Sequence, residues 1–184
     1  MTTGSIYFFH THEKSYGFLS QWYEEPFHTG DGTTVYKTAE QYMMHQKALL
    51  FSDDAIAAKI LAAETPGEQK TLGRMVANFD DTIWNKNRLR IVTQGSYYKF
   101  KHSLNSDALK QRLLTTGERE LVEAAPRDRI WGVGFGKENA EKNRSRWGLN
   151  LLGQALMAAR KQLREEEAPE KVSSVEVGHA SRSE

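Results

Sequence analysis

Thr38-Ala39-Glu40-Gln41-Tyr42-Met43-Met44-His45-Gln46-Lys47-Ala48 opens a helix and sets a carboxylate and an amine on one of its faces. Thr38 and Gln41 have capping-box spacing, in which the threonine oxygen takes the amide three residues on and the glutamine reaches back to the cap. The helix therefore starts beside Glu40 and runs to Phe51. Seven residues at about 3.6 per turn return Lys47 to nearly the stripe of Glu40, roughly two turns away. One reading of the pair is an exposed ion pair, or a carboxylate seated on the helix dipole. The other is two reactive groups facing one cavity. Tyr42, Met43, Met44 and Ala48 support the second, because they mark much of this helix as buried, and a charge near a buried face needs a partner or a task.

Upstream, Ser5-Ile6-Tyr7-Phe8-Phe9 is a short run of strand-forming types, and Gly30-Asp31-Gly32 reads as a turn delivering a second strand over Thr33 to Tyr36. The two strands suggest a small sheet. Between them, Tyr16 to Tyr23 is dense in aromatics without a period and reads as an ordered loop. Downstream the pattern is helical. Ser52-Asp53-Asp54 caps Ala55 to Ala63, and Thr65-Pro66-Gly67-Glu68 is a second capping box that opens a helix holding Leu72, Met75 and Val76. Asp80-Asp81-Thr82 precedes a long helix that passes Trp84 and Ile91 toward Phe100 despite Gly95. Ser106-Asp107 caps Ala108 to Leu114, which Gly117 follows. Asn150 caps a last helix with Leu151, Leu152, Ala155, Leu156, Ala159 and Leu163 at core-facing spacing. Residues 1–167 thus read as one α+β, mainly helical domain. Ala168 to Glu184 is polar, lacks aromatics and reads as a disordered tail.

A chain of 184 residues with 39% hydrophobic content and four prolines has the make-up of one domain around one core. A formal charge of +1 argues against a polybasic membrane module or a duplex-DNA binder, while leaving a local basic patch open. The lack of cysteine removes disulfides, thiolate metal sites and a cysteine nucleophile together. No apolar run approaches the roughly 20 residues of a membrane span, and the N-terminus has no signal-like core, so a soluble intracellular protein is expected. His10, His12, His28 and His45 form no metal signature, and no metal is expected.

Two further stretches carry residues suited to chemistry. Glu123 through Trp131, with Asp128 between Arg127 and Arg129, leads into Gly132, Gly134 and Gly136. Such a loop can cradle phosphate through backbone amides while Trp131 stacks on a base, or Trp131 can be a core residue. The glycine spacing matches neither the dinucleotide fingerprint nor the P-loop. Lys142 through Gly153 sets Arg144 and Arg146 before the helix start at Asn150, where free amides favour an anion; a solvated basic loop is the alternative. Arg74 is a further phosphate partner or a surface arginine.

Blocks in a fixed order carry a resemblance: Ile6-Tyr7-Phe8-Phe9, Tyr16-Gly17-Phe18-Leu19-Ser20, Glu40 to Ala48, Leu72-Gly73-Arg74, Thr116-Gly117, Leu121 to Ala124, Asp128 to Gly134 and Asn150 to Met157. Over roughly Ile6 to Arg160 the chain resembles the NADAR, or YbiA-like, family. The resemblance implies a compact, mainly helical α+β fold with a small sheet, and cleavage of the N-glycosidic bond between a ribosyl group and an exocyclic amine. It implies two substrate classes: ADP-ribose on the guanine amino group, here expected within DNA or RNA, and phosphoribosylamino-pyrimidine intermediates of riboflavin synthesis. No cofactor is required. Ser20-Gln21-Trp22 departs from the family's more usual Ser-Asn-Phe, which bears on substrate preference if that loop meets the base.

On that footing Glu40 is expected to stabilise positive charge at the anomeric carbon or to activate water, with Asp128 or Glu123 as second carboxylate. Lys47 offers another route, attack on the imine of an opened sugar. Trp131 would flank sugar or base, with Ser20, Trp22, Gly132 and Gly134 beside it. Arg74, Arg144, Arg146 and the amides near Asn150 would hold phosphate. A non-catalytic reader of ADP-ribose or NAD is the reading from another class, and the oligomeric state is not legible in the sequence.

Overall fold

The computed structural model describes residues 4–167, so the tail expected over 168–184 lies outside the described residues. Thr38 caps the first helix, α1 (Ala39–Leu50), by accepting from the Gln41 amide at 3.1 Å. The reciprocal half of the box is displaced: Gln41 Oε1 accepts from the Lys37 amide at 2.7 Å, and its Nε2 donates to the Ile60 carbonyl at 2.9 Å. That second bond ties α1 to the end of α2 (Asp54–Ala62), whose own start is capped by Asp53 Oδ1 on the Ile56 amide.

Both halves of the Thr65–Glu68 box form at the start of α3 (Pro66–Gly73). This helix stops at Gly73, so Met75 and Val76 lie beyond it, contrary to the sequence expectation. Helix α4 (Asp81–His102) runs unbroken through Gly95. A Cβ at Gly95 would sit 2.5 Å from the Tyr42 ring, so the missing side chain lets α1 close on α4. In α5 (Ser106–Leu114) Ser106 and Asp107 are the first helical residues and not its caps; Asn105 precedes them without a side-chain cap bond.

The strands are short and form two separate pairs, so the two expected strands do not pair with each other. Strand β1 (Ile6–Phe8) pairs in parallel with β4 (Leu121–Glu123), with Ile6 opposite Leu121 and Phe8 opposite Glu123. Strand β2 (Phe27–His28) pairs antiparallel with β3 (Val35–Tyr36). Parallel neighbours need a long crossover, and here α1 to α5 supply it. After β4 come α6 (Lys137–Ala140), a 3-10 turn over Glu141–Arg146, and α7 (Leu151–Glu167).

Helix α7 buries Leu151, Leu152, Ala155, Leu156, Ala159 and Leu163, the stripe its spacing foretold. It packs along α4, while α1 packs on α2, α3 and α4, and one apolar core joins them to β1 and β4. Among the described residues no helix is long and apolar enough to cross a membrane. The loop over Tyr16 to Tyr23, which contains a 3-10 turn at Gly17–Leu19, is anchored at its centre by Lys99 of α4. That anchorage brings Ser20, Gln21 and Trp22 to the N-terminus of α1.

Candidate active site

A cavity of about 210 Å³ opens where the start of α1, the end of α3 and the end of β4 converge. Of the residues expected to act, Glu40, Lys47, Glu123, Asp128, Ser20, Trp22, Arg74 and Trp131 all line it. The single helical stripe of Glu40 and Lys47 is thus one wall of a real cavity.

Glu40, in the first turn of α1, is 4% exposed. Its amide donates to the Gln21 carbonyl at 3.0 Å, which locks the helix start against the Ser20–Trp22 loop. Burial pushes its carboxyl up to about 7; the Lys70 charge, the Trp22 side-chain donor and the Arg74 charge pull the other way, and the Asp128 charge adds to the rise.

Glu123 ends β4. Its amide is held by Asn150 Oδ1 at 3.0 Å, and its carbonyl takes the Val133 amide at 3.0 Å. Its Oε2 is buried with no hydrogen-bond partner among the described residues. Burial first, then the charges of Asp128 and Glu40, push this carboxyl to about 8, again against Lys70. A buried acid with an unpaired oxygen is costly to ionise, which keeps a proton on it.

Asp128 Oδ1 accepts from the amides of Ile130 and Trp131, each at 2.8 Å. This side-chain turn fixes the backbone that presents Trp131 to the cavity. Lys47 Nζ donates to the Gly73 carbonyl at 2.7 Å and lies 4.2 Å from the Phe79 ring centroid and 5.7 Å from that of Trp84. Burial pulls this amine below its ordinary range, against the Asp81 charge. A larger share of Lys47 is therefore a neutral nucleophile than of a solvated lysine.

The remaining expected residues sit elsewhere. Gly132 presses the loop onto β4: a Cβ there would fall 2.8 Å from the Glu123 carbonyl oxygen. Gly134 adopts φ +80 with the Arg129 side chain packed over it. Arg144 pairs with Glu120 and Glu141 and lies 4.5 Å from the Trp147 ring centroid, and Arg146 lies over Phe135. None of these four lines the cavity.

Asn150 is also absent from the walls, and its side chain does not cap α7. At φ +50 it turns back to β4, accepting from the Glu123 amide and donating to the Leu121 carbonyl at 2.9 Å. The phosphate grip expected at the start of α7 is therefore not brought to this cavity. Gln21, singled out with its loop, also lines it, while Lys70 and Trp84, which do so too, were not among the expected site residues. For Lys70 a signal existed, since it stands one turn before Arg74.

Residues 7–164 match the NADAR domain family. An N-glycosidase of Acanthamoeba polyphaga mimivirus is 42% identical over 170 residues, covering 88% of this chain and 98% of that protein. A riboflavin biosynthesis protein of Vibrio vulnificus is 30% identical over 160 residues, 87% of this chain but 39% of that longer protein. The NMR structure of the E. coli protein YbiA superposes with a TM-score of 0.69 at 28% identity, covering 90% of this chain and 88% of that one. The fold, the near-complete span of the match and the order of its sequence blocks lead to one conclusion: this chain belongs to the NADAR family.

Proposed function

We propose that this protein is an N-glycosidase that hydrolyses the bond between the anomeric carbon of a ribosyl phosphate and an exocyclic amine. The observation that carries this reading is the pairing of two buried carboxyls, Glu40 at about 7 and Glu123 at about 8, with the amine of Lys47 in one cavity. Carboxyls whose pKa values lie at and just above neutral pH can share protons and divide the roles of acid and base. Glu123, the more protonated, gives its proton to the departing amine. Glu40 stabilises the positive charge at the anomeric carbon and takes a proton from the water that adds there. The amine leaves as R–NH2 and the sugar as the hemiacetal, with the proton moved from Glu123 to Glu40 returned through solvent.

A second route uses Lys47. Ring opening gives an imine between the anomeric carbon and the exocyclic nitrogen. The neutral Lys47 amine adds to that carbon, the exocyclic amine departs with a proton from Glu123, and the resulting sugar-lysine imine takes up water to free both lysine and sugar.

For the substrate, we infer ADP-ribose carried on the guanine amino group of nucleic acid. Trp22, 41% exposed, stands at the mouth beside Lys70 and Arg74, a combination suited to a stacked base and a phosphate. A phosphoribosylamino-pyrimidine is the second reading, favoured by the relative named for riboflavin biosynthesis. Mass spectrometry after incubation with a guanine-ADP-ribosylated oligonucleotide, and separately with the pyrimidine, distinguishes them. Release of ADP-ribose with restored guanine is expected; binding of ADP-ribose without release of base from either substrate marks a reader instead. Glu40→Gln and Lys47→Ala are expected to lose nearly all turnover while still binding the sugar phosphate, and full turnover by both sinks the mechanism. Borohydride during turnover traps an adduct on Lys47 only if the second route operates.

A further inference from the structure

A second cavity, of about 280 Å³, shares a wall with the one already described. Glu123 and Asp128 line the first cavity, whereas Ala124 and Pro126, which lie between them in the chain, line the second. One stretch of backbone therefore separates the two. It is exposed at Pro126 and Arg127. Among the described residues Arg127 has no carboxylate within 4.0 Å, unlike Arg144 and Arg164. Phe9 and His10, with ring centroids 4.4 Å apart, also line the second cavity, and the His12 ring stacks on His10 at 5.1 Å. Glu13 holds this turn after β1: its Oε1 accepts from the His10 amide at 2.9 Å, and its carboxylate pairs with Lys137. Because Glu13 and Lys137 neutralise each other, Glu138 is the one charged side chain left in the lining without a counter-ion. The Asn139 backbone carbonyl accepts from Asn143, but its side-chain amide, like the His10 ring, has no partner among the described residues.

We propose that this second cavity takes the base next to the target guanine on a single strand, with the linking phosphate held by Arg127. The proposal rests on the nucleic-acid reading above and adds a neighbouring-base site, and with it a preference for sequence context. Flat rings offer a stacking face that any base can use. The free amide of Asn139 and the carboxylate of Glu138 can meet the edge of a base that carries an exocyclic amine. A phosphate is not suited to the cavity itself, since its lining has no free cation and one free carboxylate. It is suited to the wall between the cavities, where Arg127 stands unpaired. Pro126 and Asp128 are two residues apart, at most about 7 Å along the chain. One sugar-phosphate link covers that distance, so a strand crossing Arg127 sets its target nucleotide in the first cavity and a neighbour in the second.

Fluorescence anisotropy of a short, dye-labelled single strand, ADP-ribosylated on its central guanine, reads binding to the Glu40→Gln protein without turnover. An abasic residue on one side of that guanine is expected to weaken binding about ten- to hundredfold, while an abasic residue on the other side leaves it unchanged. Thymine at the sensitive position, which lacks an exocyclic amine, should fall between the two. His10→Ala and Asn139→Ala, both at exposed positions, should weaken the intact strand about tenfold and leave the sensitive abasic strand as it was. Arg127→Gln should flatten the slope of log affinity against log salt by about 0.7. No binding of any strand, equal binding of the intact and both abasic strands, or variants that weaken intact and abasic strands alike overturns the neighbouring-base site. Wild-type protein that frees ADP-ribose equally fast from all three strands loses this site and keeps the hydrolase reading. Base-dependent binding without release of ADP-ribose keeps the site and removes the hydrolase reading.

Discussion

Replacing Glu123 with glutamine should stabilise the fold and disable the chemistry, with both effects set by the same burial. The fold moves this carboxyl from 4.5 to about 8. At 1.36 kcal/mol per unit, the ceiling on the cost of ionising it is about 5 kcal/mol. The sign follows from the direction of the shift. A raised carboxyl pKa means that the folded state prefers the neutral acid, so the group's favourable balance is whole below pH 4.5, shrinks as pH rises, and is lost above about pH 8. Between about pH 5 and pH 9 the loss comes to about 4 kcal/mol. Relaxation around the site and the shared repulsion with Glu40 bring the expected value to about 2–4 kcal/mol.

Glutamine keeps the shape and never ionises. Urea unfolding of wild type and Glu123→Gln across this range should therefore show midpoints that separate as pH rises, by about 1–2 M at a typical dependence on urea. Turnover of the same variant should fall by about 10²- to 10⁴-fold, the usual worth of a positioned general acid. Midpoints that decline in parallel over the whole range would refute the argument, because Glu123 would then be ionised in the fold without cost.

Two further outcomes follow from the supports of the site. Lys99 is fully buried, with its amine donating to the Phe18 and Ser20 carbonyls at 2.7 and 3.0 Å and burial lowering its pKa to about 7. Lys99→Met should change stability by no more than about 2 kcal/mol, since two carbonyls lose a donor while a buried charge is removed. Amide hydrogen exchange should rise over Ser20 to Trp22 and stay unchanged in α5; unchanged exchange in the loop removes Lys99 as its anchor. Asn150→Ala should cost about 2–4 kcal/mol, from two lost bonds to β4 and a left-handed backbone forced on alanine. Asn150→Gly should cost about 1–2 kcal/mol less, because it keeps the backbone conformation, and denaturant unfolding that finds the two variants equal rejects the backbone contribution.

Local chemistry made much of the fold legible. Thr65 and Glu68 lie three residues apart, Asp53 directly precedes its helix, and the apolar stripe of α7 repeats every three or four residues; each signal is complete within one or two turns. The same holds for Glu40 and Lys47, whose shared face follows from helical geometry alone. The strand pairing was not legible because β1 finds its partner beyond five helices, a pairing that no local pattern encodes. The residues expected to grip phosphate at the start of α7 are not brought to this cavity, for a related reason. Asn150 has the chemistry of a helix cap, yet the nearness of β4 offers it an amide and a carbonyl that take its side chain away from the helix.

The sequence by itself determined the longer helices, the stripe that sets Glu40 above Lys47, and the blocks that identify the family. Only the tertiary structure decided that Glu123 meets Glu40 across a cavity and that Lys70 and Arg74 face them both. It also decided that Arg144 and Arg146 are occupied elsewhere. Helix and cap are fixed by contacts a few residues apart. The protonation of Glu40 and Glu123 is fixed by burial and by charges brought in from α3, β4 and the loop beyond, which exist only once those elements have packed.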